Sequence, residues 1–135
     1  MNDASFCAAL LNHAAVTALV SNRIGLDQLK QGWGLPAVVY QIVSTNEQPY
    51  IGASSDTGQV VIRLQVNPLA ATVDGVAAIH AAVRAAIQSQ LAQVVDGHRL
   101  IHVEDGGRDK YDKDETSSTW TRASDYLLTV EAQTL

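Results

Sequence analysis

The residues of this sequence that could do chemistry are four histidines, one cysteine and 14 acidic side chains. His98, His102 and Glu104 fall on alternate positions of a predicted strand, so by parity they share one face. A strand rises ~3.3 Å per residue, which sets His98 and His102 roughly 13 Å apart. Zinc–ligand bonds are only about 2 Å long, so these two rings cannot clasp one ion from a straight strand. His102 with Glu104 could offer two ligands, with the remainder coming from elsewhere. His13 and His80 each stand alone on a predicted helix and read as surface or helix-boundary residues. Cys7 lies between Phe6 and Ala8 in an apolar helical pattern and reads as a packing residue. As the sole cysteine it can form no intramolecular disulfide. There is no Gly-x-Ser-x-Gly elbow and no glycine-rich phosphate loop ahead of a helix. Gly106-Gly107 precedes a polar stretch and reads as a turn. The chain is expected to hold no catalytic, metal or cofactor-binding residue, to need no cofactor and not to be an enzyme.

The stretch Glu104–Glu115 carries six acids and three bases, a local charge of −3. Asp109, Asp112 and Asp114 suggest calcium, but the spacing is not that of an EF-hand loop and the predicted flanks are strands. Two readings remain: a solvated hairpin tip, or a loop that orders against a partner. Mixed charge around Tyr111 suits the second.

The elements that must position these groups follow from periodicity. Asp3 or Ser5 can cap a first helix, which Phe6, Leu10, Val16 or Thr17, and Val20 carry to about Ser21-Asn22. A connector over 21–36 is broken by Gly32, Gly34 and Pro36. Ala37–Ser44 is a predicted strand with apolar residues on both faces. Residues 45–58 form a long polar loop. Gln59–Asn67 alternates cleanly, with Val60, Ile62, Leu64 and Val66 on one face, and Pro68 should close it. Thr72 caps a second helix with Asp74 in its first turn. Its stripe is Val76, Ile79, Val83, Ile87, Leu91 and Val94, and Asp96-Gly97 should stop it. A third strand over 98–103, a second long loop over 104–118 and a last strand from Thr119 to Gln133 complete the order α-β-β-α-β-β. The expected class is α+β, with helices packed against a mostly antiparallel sheet.

The chain of 135 residues is the size of one domain, expected to span 1–135, and its 47% apolar content suits a packed globule. The net charge of −5 and the absence of any basic stripe exclude tight binding to a phosphate backbone. The start lacks a basic region followed by an apolar core, and there is no run of about eighteen apolar residues. No signal peptide and no membrane partner are expected, and the compartment should be cytosol-like.

Leu35-Pro36-Ala37-Val38-Val39-Tyr40-Gln41-Ile42-Val43-Ser44 resembles the Pro-hydrophobic-Val-Tyr-Gln strand of the phage tail-completion family, the tail terminators or tail-to-head joining proteins of long-tailed phages. Arg63-Leu64-Gln65-Val66-Asn67 followed by Ala70-Ala71-Thr72 resembles a second block of that family. Arg108-Asp109-Lys110-Tyr111-Asp112 and then Trp120-Thr121-Arg122-Ala123-Ser124-Asp125-Tyr126 are similar to its C-terminal hairpin. Leu19-Val20 and Arg23-Ile24 are similar to its start. The similarity runs in order over nearly the whole chain, and its strength lies in the succession of blocks. Pro68-Leu69 stands where the family often has a Trp, a departure that affects the turn.

The resemblance implies a homo-oligomeric ring, commonly a hexamer, at the head-proximal end of the tail tube. The ring ends tube polymerisation and joins tail to head. Its implied partners are the tail tube protein and the head-completion or connector proteins, with DNA passing through unbound. The expected place is the virion, at the head–tail junction, after assembly in the host cytoplasm. The expected subunit or tail-tube interface comprises Tyr50, Asp56, Arg63, Asp105, Arg108, Lys110, Tyr111, Asp112, Asp114 and Glu115. The acidic loop is expected to line or border the lumen or to contact the tube. Deleting 106–115 should then spare the fold and abolish assembly with tubes. Two alternatives stand beside this one: a head–tail adaptor or stopper subunit, and a small-molecule- or metal-binding α+β module using His102, Glu104 and nearby acids.

Overall fold

The structure is a computed structural model, and it describes residues 2–30, 32–48, 58–105 and 110–131. Among these, the chain forms three helices and seven strands. In order they are α1 (Asp3–Leu11), α2 (Ala14–Val20), β1 (Ile24–Leu26), β2 (Ala37–Gln48), β3 (Gln59–Ala70), α3 (Val73–Ser89), β4 (Val94–Val95), β5 (His98–Asp105), β6 (Lys110–Asp114) and β7 (Thr119–Glu131). The strands make one sheet in the order β1-β2-β3-β7-β5-β4, with β6 pairing β7 beside β5. Every pairing is antiparallel except the short β1–β2 contact. The class is α+β, as the periodicity indicates.

The central strands show how pattern becomes packing. In β3, buried and half-buried residues alternate along its whole length. Val60, Ile62, Leu64 and Val66 point inward, where Tyr126, Leu128 and Val130 of β7 join them. All three helices lie on that face. α3 packs on β3 and β7, α2 packs on α3, and α1 touches α3 and β2. Phe6, Leu10, Leu11, Val16 and Val20 bring the first two helices into the same core.

Several elements differ from the sequence reading, each for a local reason. The first helix is two helices, bent by 75°. His13 takes an extended backbone and its Nδ1 accepts from the Ala15 amide at 3.1 Å, so it caps α2. The cap of α1 is Asn2, whose side chain accepts from the Ser5 amide at 3.0 Å. Pro68 does not close β3, which continues to Ala70 with Pro68 opposite Val38. The β3–β7 partners pass directly from Val66↔Ser124 to Leu69↔Thr121, so the missing proline N–H falls in a gap of that ladder.

Thr72 caps α3 as expected, accepting from the Gly75 amide at 3.0 Å. The helix stops at Ser89, before Leu91 and Val94, which are exposed instead of continuing the stripe. Gln90 ends it by donating from Nε2 to the carbonyls of Leu10 and Ala86 at 2.8 and 3.1 Å. Asp96 and Gly97 have φ of 50° and 79° and form the two-residue turn of the β4–β5 hairpin.

No single helix among the described residues is long and apolar enough to cross a membrane.

Candidate assembly interface

Among its described residues, the expected 104–118 loop is mostly strand. β5 runs to Asp105, opposite Tyr126, and β6 runs from Lys110, opposite Ala123, to Asp114, opposite Thr119. The two segments follow one another along the same side of β7. Only 115–118 form a turn among the described residues of this stretch.

Alternation across β6 and β7 splits the acidic segment between two faces. Tyr111 lies opposite Arg122, and Lys113 opposite Trp120. The Arg122 guanidinium stacks 5.1 Å from the Tyr111 ring centroid and donates to its hydroxyl at 3.2 Å. The Lys113 ammonium stands 5.7 Å from the Trp120 ring. Asp112 and Asp114 take the other face. Asp114 Oδ1 accepts from the Thr116 amide at 3.0 Å. That bond, with one from Ser117, holds its carboxyl below the usual carboxylate range. Asp112 Oδ1 accepts from the Lys113 amide at 2.9 Å, and Glu115 is exposed.

Other expected residues sit elsewhere. Arg63 lies on the outer face of β3, with Nη2 and Nε donating to Asp125 Oδ2 at 2.8 and 3.2 Å. The pair is a diagonal neighbour across β3–β7, since Arg63 is opposite Leu127 and Asp125 opposite Gln65. Asp105 pairs with Arg84 of α3 at 3.2 Å, tying the end of β5 to the helix layer. Tyr50, Asp56 and Arg108 lie outside the described residues, as does the side chain of Lys110.

The sequence reading missed Arg122, Asp125, Trp120 and Arg84 as the groups that hold these side chains in place. Strand alternation put a charge at 122 and at 125, but it could not say which strand would lie alongside. On the outer face a cavity of about 460 Å³ opens between the connector and the β6–β7 hairpin, lined by Leu29, Leu35, Leu69, Asp114, Ser117, Thr119 and Thr121.

His98 and His102 do not share a face as parity suggests. The β5–β7 register shifts between Leu100 and His102, so His102 lies opposite Thr129 while Leu100 lies opposite Val130. The extra residue puts His98 and His102 on opposite faces. His98 Nδ1 lies 3.0 Å from the Glu131 carbonyl. His80 is not a surface residue but 7% exposed, with its Nδ1 3.0 Å from Ser124 Oγ inside the core. Among the described residues, no three His, Cys, Asp or Glu side chains gather where they could hold a metal ion. Cys7 is fully buried, and burial beside Asp3 pushes its thiol up to about 12.

Solved chains of similar fold include one from a structure described as the virion of native gene transfer agent (GTA) particle. It superposes with a TM-score of 0.62 at 18% identity, covering 95% of this chain and 92% of that one, and so shows the fold. No curated protein matches by sequence. Residues 5–126 match the profile of the family described as Tail completion protein gp17, a span that runs from within α1 to past the middle of β7. The chain therefore belongs to the Tail completion protein gp17 family.

Proposed function

We propose that this chain is the subunit of a ring that sits on the head-proximal end of a phage-type tail tube, ends tube polymerisation and receives the head. The observation that carries the reading is the family match over residues 5–126. A fold shared with a chain of a gene transfer agent virion is consistent with it. The role is structural and needs no catalysis. The β6–β7 hairpin presents Tyr111, Asp112, Asp114 and Glu115 exposed at an edge of the sheet, suited to a tube or lumen contact. The negative balance of −5 would let DNA pass without sticking.

Because β6 is part of the sheet, deleting 106–115 would strip one of its two strand partners from the first half of β7 and leave β3. Substitution is the sharper probe. Mixing the protein with its tail tube protein under polymerising conditions should give shorter tubes with a ring at one end by negative-stain electron microscopy. The combined Asp112→Asn, Asp114→Asn and Glu115→Gln variant should fold and cap poorly. Tubes of unchanged length with the wild-type chain, or a stable monomer that takes up a divalent metal stoichiometrically, would sink the reading.

A further inference from the structure

The sheet has two margins, and each leaves a length of strand paired on one side only. On one margin β1 covers β2 at Val38–Tyr40 and no further, so among the described residues Ile42–Glu47 have β3 on one side and no strand on the other. On the opposite margin β4 covers β5 at His98 and Arg99, and among the described residues Ile101–Asp105 have β7 on one side only. Such edges present unpaired backbone N–H and C=O groups, which soluble proteins blunt with Lys and other charges, Pro, bulges or very short strands. Neither stretch contains Lys or Pro. Each carries one bulge-type register shift, between Ile42 and Ser44 and between Leu100 and His102, and has its acids only at the C-terminal end. The residue at each shift is an exposed aliphatic: Val43 is 54% exposed and Ile101 is 37% exposed. Of the eight exposed large hydrophobics among the described residues, Leu26 and Val43 stand on one margin and Val94, Ile101 and Tyr111 on the other.

We propose that these two margins pair with each other between neighbouring copies, joining β2 of one chain to β5 of the next so that the sheet continues around the ring. The proposal rests on the ring reading above and names the joint. A second copy is the fitting partner because both halves of the contact are on this chain, matched in length and in apolar character. Strand direction agrees. β2, β3, β7 and β5 are successively antiparallel, so β2 and β5 run in opposite senses. A rotation about an axis along the strands preserves each sense, so β2 would meet the next copy's β5 as an antiparallel pair, the stronger of the two pairings. Charge agrees too. Antiparallel pairing sets Glu47 near the Ile101–His102 end and away from Glu104 and Asp105, whereas parallel pairing would bring the three acids together. A contact between two different patches of one chain is head-to-tail, and it closes into a ring when the rotation allows. A two-fold contact of β2 with β2 would leave the second margin open.

The test is cross-linking of Val43→Cys and Glu104→Cys variants with a short bis-maleimide, alone and on tail tubes, with buried Cys7 left in place. A mixture of the two single variants should give a covalent pair, and the doubly substituted chain a ladder of covalent oligomers. Val43→Lys with Ile101→Lys should abolish the assembled species in native mass spectra while circular dichroism stays unchanged. Self-linking of the Val43→Cys variant alone would overturn the proposal in favour of two-fold pairing. A ring that forms without the Val43–Glu104 link would overturn the joint and leave the ring reading standing. A chain that stays monomeric even on tubes would overturn both. A linked ring that fails to shorten tubes would keep the joint and remove the terminator reading.

Discussion

At the scale of single residues, the informative groups are polar ones taken inside. His80 and Ser124 face each other across the α3–sheet contact, 7% and 2% exposed. A buried hydrogen bond is worth about 1 kcal/mol net, and stranding one partner costs about 1–3 kcal/mol. Ser124→Ala should therefore lower stability by about 1–2 kcal/mol in urea titration, with the fold retained. Cys7 is a second case. Its thiol is pushed up to about 12 in the fold from an ordinary 9.0, so the folded state favours the neutral form. That contribution is complete below pH 9 and is lost as pH rises from 9 towards 12, where the unfolded chain sheds the proton first. Stability measured between those pH values should fall, and a thiol reagent at pH 8 should label the chain only in denaturant. The Arg63–Asp125 pair, with side chains 42% and 18% exposed, belongs to a different class. An exposed pair contributes about 0–1 kcal/mol, so its value lies in fixing the orientation of the outer face.

At the scale of elements, caps and turns decide where structure starts and stops. Thr72 satisfies an α3 amide that would otherwise lack a partner inside the helix. Thr72→Ala should cost about 1 kcal/mol, read as a lower denaturation midpoint with an unchanged slope. α1 is held at both ends by side chains from distant segments. Asp3 Oδ2 accepts from Thr45 Oγ1 at 2.7 Å, and Asp96 Oδ2 accepts from Ser5 Oγ at 2.7 Å. At its other end, Gln90 reaches the Leu10 carbonyl. The β6–β7 hairpin adds cross-strand cation–aromatic contacts at Tyr111/Arg122 and Lys113/Trp120, with Trp120 also packed against the core.

At the scale of the whole molecule, a tail completion protein is a structural component of the tail, and the two faces of its sheet differ. One face is covered by helices; the other carries half-buried side chains such as Arg63, Gln65, Asn67, Asp125 and Leu127. Acidic groups along the β6–β7 hairpin lie within reach of solvent ions. If they contact the tube, capping should weaken as salt rises from 0.05 to 0.5 M, where the screening length falls from roughly 14 to 4 Å. The Asp112→Asn, Asp114→Asn, Glu115→Gln variant should lose that salt dependence. Tube-length distributions at each salt concentration measure both effects.

The sequence alone determined the α+β class, the inward face of β3, the start of α3 at Thr72 and the family blocks, because each is written in local periodicity or in contiguous residues. Val60, Ile62, Leu64 and Val66 need only alternation to declare one face. Tertiary structure decided the rest, because it depends on which strand lies beside which. The shifts at Val43 and Ile101 reverse parity downstream, so no count along β5 could place His98 and His102 on opposite faces. β6 reads as a charged loop because its pairing lies in β7, not in its own composition. His80 reads as surface until Ser124 is brought beneath it. Leu91 and Val94 keep the helical spacing, yet the chain turns at Gln90 because its amide finds the end of α1. Local pattern fixes which face of an element is buried; only the packed neighbours fix where it ends and which polar groups become partners.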